Sequence, residues 1–470
     1  MFRRKPAAML MAETGGDGSG LKRALGALDL TMLGIGAIVG AGIFVLTGVA
    51  AAKYAGPAVV LSFVVSGFAC AMAALCYAEF AAMIPVAGSA YSYSYATMGE
   101  LVGWIIGWDL VLEYAVGAAA VAVGWSGYLR VILEGVGIHL PVALTHAPGS
   151  VPGAIIDLPA LLIVILVSGI LYVGISESAR FNSIIVAIKL VVIGLVIAVG
   201  AFYVKPANWS PFAPMGWPGV MKGAAVIFFA YIGFDAVSTA AEEVVDPKRD
   251  LPRGILASLF VCTLLYILVA GVLTGMVPAR QIEVNAPLAS AFVIRGLNVL
   301  SGIISLGAVA GLTSVLLVLL LGQSRIFFAI SRDGLLPPAF SKIHSRFRTP
   351  YIPTTITGIA VGITAALLPI QDIAELTNIG TLFAFVLVCA GVWILRHREP
   401  GLTRPFHTPL VPLVPILGMF FCTYLMASLP MLTWIRFFVW MALGFVIYFS
   451  YGRFHSRIAY EHPTGQAAAD

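Results

Sequence analysis

The chain has 470 residues, of which 60% are apolar and only 10% charged, with a mean hydropathy of +0.99 and a formal net charge of +5. A soluble globular protein runs nearer ~25% charged, and this composition cannot give about three domains of ~150 residues a wettable surface. A soluble enzyme, a nucleic-acid binder and a disordered chain are excluded, which leaves an all-α polytopic membrane protein with the lipid bilayer as its solvent.

The first twenty residues are polar, basic and glycine-rich. They do not read as a cleavable signal peptide, because the first apolar run begins late and continues as a full span. A helix needs about 20 apolar residues to cross the hydrocarbon core. Twelve stretches are expected to do so, at residues 29–52, 57–84, 100–130, 154–175, 179–204, 218–244, 252–277, 300–330, 353–370, 373–395, 410–430 and 434–451. The third and eighth are long, which implies tilt or extension beyond the bilayer. The expected organisation is a cytoplasmic tail (1–28), a first group of five helices (29–204), a second group of five (218–395), two further helices (410–451) and a short polar tail (452–470). Within the loop before the eighth stretch, the apolar run Leu288–Ile294 after Pro287 is expected to be a small helix or lid.

Placing both termini in the cytoplasm puts nineteen Lys and Arg residues inside and seven outside, with Lys189 left within a span. That bias follows the positive-inside rule. The five cysteines, Cys70, Cys76, Cys262, Cys389 and Cys422, all fall in apolar runs and read as buried single thiols. The seven histidines lie mostly in loops, and no metal-ligand cluster or Ser-His-Asp set falls at membrane depth. No enzyme activity, metal or cofactor is therefore expected.

The first stretch contains Gly34-Ile35-Gly36-Ala37-Ile38-Val39-Gly40-Ala41-Gly42, four glycines in nine residues at mid-span. Each weakens a helix by roughly 1 kcal/mol relative to Ala. Close helix packing through a small face would also use glycines, but this density predicts an unwound segment. The sixth stretch reads Phe229-Ala230-Tyr231-Ile232-Gly233-Phe234-Asp235, with a single glycine and a buried acid. Glycine-interrupted helices at corresponding places in two halves point to a transporter site. An odd number of helices per half requires the second to be inverted. A half-helix starting near Ala41 offers N–H groups to a carboxylate, and freed carbonyls offer acceptors to a cation. An α-amino acid carries both charges.

Ionisable groups inside a span are functional candidates by default. Lys189 is too central to reach either surface and is expected either to carry a proton or to bond the freed carbonyls of the first span. Asp235 is a helix cap or a proton-binding or gating group. Asp109 and Glu113 share one helix face, Glu113 being the deeper and the third coupling candidate. Glu79, Glu242 and Glu243 lie toward the cytoplasmic ends and are expected to pair with Arg or Lys at an inner gate. Phe229 is the aromatic expected to close over a substrate, and Leu319 the apolar wall.

These residues resemble the amino acid–polyamine–organocation superfamily, and within it the cationic amino acid transporter family and its bacterial relatives. The resemblance covers about residues 22–452. It rests on Gly34 through Phe44, on Cys76-Tyr77-Ala78-Glu79-Phe80 with Pro85 and Gly88-Ser89-Ala90-Tyr91, on Gly233-Phe234-Asp235 with Glu242-Glu243-Val244, and on Glu375-Leu376 with Ile379-Gly380-Thr381-Leu382. It implies two inverted five-helix repeats plus two helices in a plasma membrane, and secondary active transport of L-amino acids. It implies the substrate carboxylate on the amides of Ala41 and Gly42, beside Gly40. It implies the amino group on the carbonyls of Ile38, Phe229 and Ile232, with Ala230 nearby. It also places Lys189 where proton-coupled members carry a lysine. Without a clear acidic partner for a cationic side chain, small neutral substrates are expected, alanine first, with cationic ones open. Proton symport is the expected mechanism, obligate exchange the alternative and a channel the remote one. Nothing in the sequence specifies an accessory subunit.

Overall fold

The computed structural model describes residues 25–85, 89–173, 179–347 and 349–457. The basic N-terminal segment, Gly88 and most of the polar C-terminal tail lie outside the described residues. Among the described residues every extended element is helical, and β pairing is limited to two isolated bridges, Leu25 with Val244 and Thr145 with Asp157. Helices satisfy their own backbone, which hydrocarbon demands.

In chain order the principal helices are α1 (Ala27–Ile38), α2 (Thr47–Ala50, flanked by wider π turns Gly42–Leu46 and Ala51–Ala55), α3 (Val59–Met83), α4 (Ser89–Thr97), α5 (Glu100–Gly135), α6 (Leu158–Val173) and α7 (Ala179–Ala201). They continue as α8 (Gly216–Ile227), α9 (Ala236–Thr239), α10 (Pro247–Met276), α11 (Pro287–Ile294), α12 (Asn298–Arg332), α13 (Tyr351–Leu367), α14 (Ile370–Arg398), α15 (Leu413–Ala427) and α16 (Met431–Ile447). Among the described residues eight helical runs are long and apolar enough to cross a membrane, the first of them Gly42–Met83 with a turn at Gly56–Ala58 inside it. Four shorter apolar helices accompany them: α1, α6, α13 and α15. α5 and α12 are the longest, at 36 and 35 residues, as their sequences predict.

α5 lies at the centre and packs against α12, α13 and α14. α1 packs on α10 and α7, and α8 packs on α3 and α14. α12 also meets α6 and α7, while α3 meets α14 and α7 meets α10. Large apolar side chains such as Val191, Phe260, Val299 and Phe438 point outward and are well exposed. In water such a surface would aggregate; in a bilayer it is the lipid-facing side. All five cysteines are buried and free of disulfides.

Candidate functional site: two interrupted helices

α1 ends at Ile38. Val39 leaves helical geometry (φ −76°, ψ 92°), and the helix resumes from Ala41 in the π turn Gly42–Leu46. The glycine cluster predicts this interruption. The carbonyls released there are occupied by side chains from other helices. Lys189 Nζ of α7 donates to Gly36 O at 2.9 Å and to Val39 O at 3.2 Å. Tyr266 Oη of α10 lies 2.9 Å from Ile38 O.

The second interruption follows α8. The chain tightens into a 3-10 turn at Phe228–Tyr231, opens at Ile232 (ψ 134°), passes Gly233 at φ 115°, and resumes as α9. Only glycine adopts that φ readily. A Cβ at Gly233 would also lie 2.9 Å from the carbonyl carbon of Ala37. The two interruptions touch each other: a Cβ on Gly42 would lie 2.2 Å from Ala230 Cα. Tyr266 Oη joins them as well, since it lies 2.8 Å from Ala230 O. One hydroxyl proton thus serves a carbonyl on each broken helix.

Of the residues expected to bind substrate, Ile38, Gly40, Ala41, Gly42, Phe229, Ala230 and Ile232 all lie in these two segments. Ala41, Gly42, Ile38 and Ala230 are fully or nearly fully buried, and Phe229 and Ile232 are buried with slight exposure. The Phe229 carbonyl accepts from Ile232 N at 3.2 Å. Leu319 lies on α12 and is partly buried. Its Cδ1 lies 3.7 Å from where a Cβ on Gly117 would stand, beside Thr377, so it fills the seam between α5, α12 and α14. Val315, one turn earlier on α12, packs on Gly40, where an added Cβ would lie 3.3 Å from Val315 Cγ2.

Lys189 is fully buried, with its carbon stem against Gly311 and its ammonium on the α1 carbonyls. That is the bonded-lysine arrangement, and it leaves the proton-carrying one open. Asp235 occupies the cap position of α9 without making a side-chain cap hydrogen bond. Its carboxyl is buried near the backbone of Gly233 and Ala236, with neither oxygen closing a hydrogen bond of good geometry among the described residues. Glu113 is buried on α5, facing the Thr381 hydroxyl and the Asp235 carboxyl. Asp109, one turn away, is buried with both oxygens unpartnered among the described residues.

Glu79 is a different kind of site. Arg396 Nε and Nη2 donate to its two oxygens at 3.0 and 2.8 Å, Arg404 Nε lies 3.3 Å away, and Thr408 N donates at 2.8 Å. The expected pairing with arginine is present, doubled, and ties α3 to α14 and to the loop before α15. Glu243 contributes its backbone: its carbonyl accepts from Leu25 N at 3.0 Å, and Val245 N donates to Leu25 O at 3.1 Å, so this segment fixes the entry to α1. The side chain of Glu242 lies outside the described residues.

Sequence reasoning missed Tyr266 and Asn378. Asn378 Nδ2 of α14 donates to Ala225 O and Val226 O at 2.7 and 2.9 Å, holding the end of α8 before it breaks. Both carried a usable signal. A phenol or an amide in an apolar span must find partners there, and broken helices are where spare carbonyls are.

The model of the family described as amino acid permease matches residues 25–451. The branched-chain amino acid permease BcaP of Bacillus subtilis is 52% identical over 97% of this chain and 99% of its own length. The methylthioribose transporter of the same organism is 49% identical over 97% and 98%. The chloroplastic cationic amino acid transporter 9 of Arabidopsis thaliana is 36% identical over 93% and 89%. The chain belongs to the amino acid permease family of the amino acid–polyamine–organocation superfamily.

Proposed function

We propose that this permease is a secondary active importer of neutral, aliphatic L-amino acids in a bacterial plasma membrane. It binds them between the two interrupted helices and couples their entry to protons. The observation that carries the reading is the meeting of the two breaks at Gly42 and Ala230, with Lys189 on the carbonyls released from α1. A substrate carboxylate fits the start of the helix after Gly40, and its ammonium fits the carbonyls around Phe229 to Ile232. An apolar side chain suits the surrounding Val315 and Leu319. The name of the Bacillus branched-chain permease extends the expected range from alanine toward valine, leucine and isoleucine. The methylthioribose transporter, almost as similar, makes that compound the necessary competitor, because it offers neither carboxylate nor ammonium.

The ammonium of Lys189 stands where a cation would otherwise satisfy the α1 carbonyls, which favours a proton over a metal ion as the coupled species. A membrane potential supplies ~2.3 kcal/mol per charge per 100 mV, so one proton per substrate gives strong accumulation. Twelve spans in two inverted halves are supported by a packing symmetry. Exchanging α1 with α8, α3 with α10, α5 with α12, α6 with α13 and α7 with α14 turns the larger contacts among these helices into others that exist. The α1–α10 contact becomes α8–α3, α5–α13 becomes α12–α6, α5–α14 becomes α12–α7, α3–α14 becomes α10–α7, and α1–α7 becomes α8–α14.

The test is uptake of radiolabelled alanine and leucine into sodium-free proteoliposomes under an imposed inward proton gradient. Concentrative uptake collapsed by a protonophore and lost in Lys189→Ala is the expected result. Uptake seen only after preloading with amino acid makes the protein an exchanger and Lys189 a structural lysine. Competition by methylthioribose above any amino acid overturns the substrate class.

A further inference from the structure

On the face that the charge bias places outside, the ends of α2, α5 and α14 and the loops before α6 and α11 enclose a cavity of about 270 Å³. It is slightly smaller than the ~300 Å³ at which ordinary small-molecule pockets begin, a size for one small metabolite. It lies beyond the two breaks, with Val49 and Lys53 of the resumed first helix in its wall. Its charged and ionisable lining comprises Lys53, Arg130, His146, Asp157 and Asp372. Lys53 Nζ donates to Gln371 at 2.7 Å, Asp157 accepts from Ser126 at 2.6 Å and from Ala160 N at 3.1 Å, and Asp372 pairs with Arg436 at 3.1 Å. The lining thus carries cations and carboxylates together, as a zwitterion requires.

Arg130 is the pivot. Its Nη2 pairs with Glu283 at 2.6 Å, its Nε lies 3.6 Å from Glu134, and its Nη1 donates to His146 Nε2. His146 Nδ1 lies 3.0 Å from Thr145 Oγ1, whose hydroxyl donates to Pro141 O at 3.2 Å. With the Thr145 proton committed to Pro141, Nδ1 must be the N–H, and Nε2 must be the bare acceptor facing the guanidinium. The geometry therefore requires a neutral imidazole. Burial, and then the Arg130 charge, hold His146 below the ordinary imidazole value. Protonation would set an N–H⁺ against the guanidinium and break the contact, freeing Arg130 Nη1 and adding a positive charge to the cavity wall. The other charged groups facing this corner are Glu134 on α5, Glu283 on the neighbouring loop, Lys53, Asp157 and Asp372.

We propose that this outer cavity is a second amino acid site, in which Arg130 and Lys53 hold the substrate carboxylate, Asp157 and Asp372 face its ammonium, and protonation of His146 arms Arg130. It rests on the amino acid reading of the central site. Binding here is favoured in the protonated state, so affinity falls as pH rises through the imidazole range. An acidic exterior would then load the vestibule with substrate and proton together.

The experiment is equilibrium binding of radiolabelled alanine and leucine to the full chain in nanodiscs, at about pH 5 and about pH 8, on either side of the imidazole range. Wild type is expected to bind at two sites, one of them weakening several-fold at the higher pH. Arg130→Gln should bind at one site only. His146→Gln should keep both sites, and the outer one should no longer weaken at the higher pH, because the buried Asp157 gains charge over the same range and acts in the opposite direction. Gly42→Val, which crowds Ala230, should retain only the outer, pH-dependent site. Single-site binding that Gly42→Val abolishes and Arg130→Gln leaves untouched overturns the outer site alone. A failure of wild type to bind any amino acid overturns the transport reading as well.

Discussion

Glu79 and Asp235 are both carboxylates buried at helix junctions, and the protein treats them in opposite ways. Glu79 receives two arginines and a backbone amide, which leaves neither oxygen unpaired. Asp235 receives no hydrogen bond of good geometry among the described residues and faces another acid, Glu113. A buried charge is tolerated only when paired and hydrogen-bonded; otherwise the group tends to give up its charge. The paired site is a fixed stitch between α3, α14 and the following loop. The other carboxyl has no cationic partner among the described residues, which makes it the candidate place for linking protonation to conformation.

Glu79→Ala is the sharpest way to break the comparison. It leaves Arg404, 8% exposed, and Arg396 facing a site without a counter-charge. Removing one partner of a buried pair costs ~3–5 kcal/mol, and the partial exposure of Arg396 argues for the lower end. A large fall in the melting temperature of purified protein is expected, with Glu79→Gln falling less. A melting temperature within a degree or two of wild type would show that the clasp is not closed in the membrane.

Lys189→Met comes next. It removes a charged donor from two carbonyls, each such bond contributing ~1.5–3 kcal/mol, and leaves Gly36 O and Val39 O without it. A moderate destabilisation and loss of proton-driven uptake are expected together. Loss of stability with pH-dependent uptake intact would leave Lys189 as a structural post. Tyr266→Phe removes a single hydroxyl shared between the two breaks and should cost about 1 kcal/mol. Its larger signature is a weakened apparent affinity for substrate, read from uptake kinetics. An unchanged affinity would mean that the two broken segments hold their spacing without it.

The contrast between the two carboxylates also marks how far the sequence could be read. The break in the first helix was legible because four glycines in nine residues are a local signal, and so was the candidacy of Lys189, a lone charge in an apolar run. That Glu79 would find arginine was legible as a type of partner. That it would be Arg396 and Arg404, more than three hundred residues away, was not, because nothing local encodes that packing. α12 shows the same limit. Its apolar character was plain, but which of its residues packs on Gly40 was not, and the structure puts Val315 there. Tyr266 was not singled out, because an acceptor supplied by another helix's broken backbone is invisible in its own stretch of sequence.

Asp235→Asn should have the smallest effect on stability and the most informative one on function. The amide matches the protonated acid in size and keeps a donor, so it replaces a group whose charged form is costly by one that never charges. The melting temperature is expected to hold or rise slightly at neutral pH, the reverse of the Glu79 result. Proton-driven accumulation is expected to fall, while binding of unlabelled substrate, followed by its thermal stabilisation of the protein, persists because the backbone of both breaks is untouched. If accumulation survives as well, Asp235 is only the start of α9, and the coupled proton must reside on Lys189 or Glu113. If the melting temperature instead falls as far as in Glu79→Ala, Asp235 is an ionised, paired group like Glu79, and the contrast between the two sites fails.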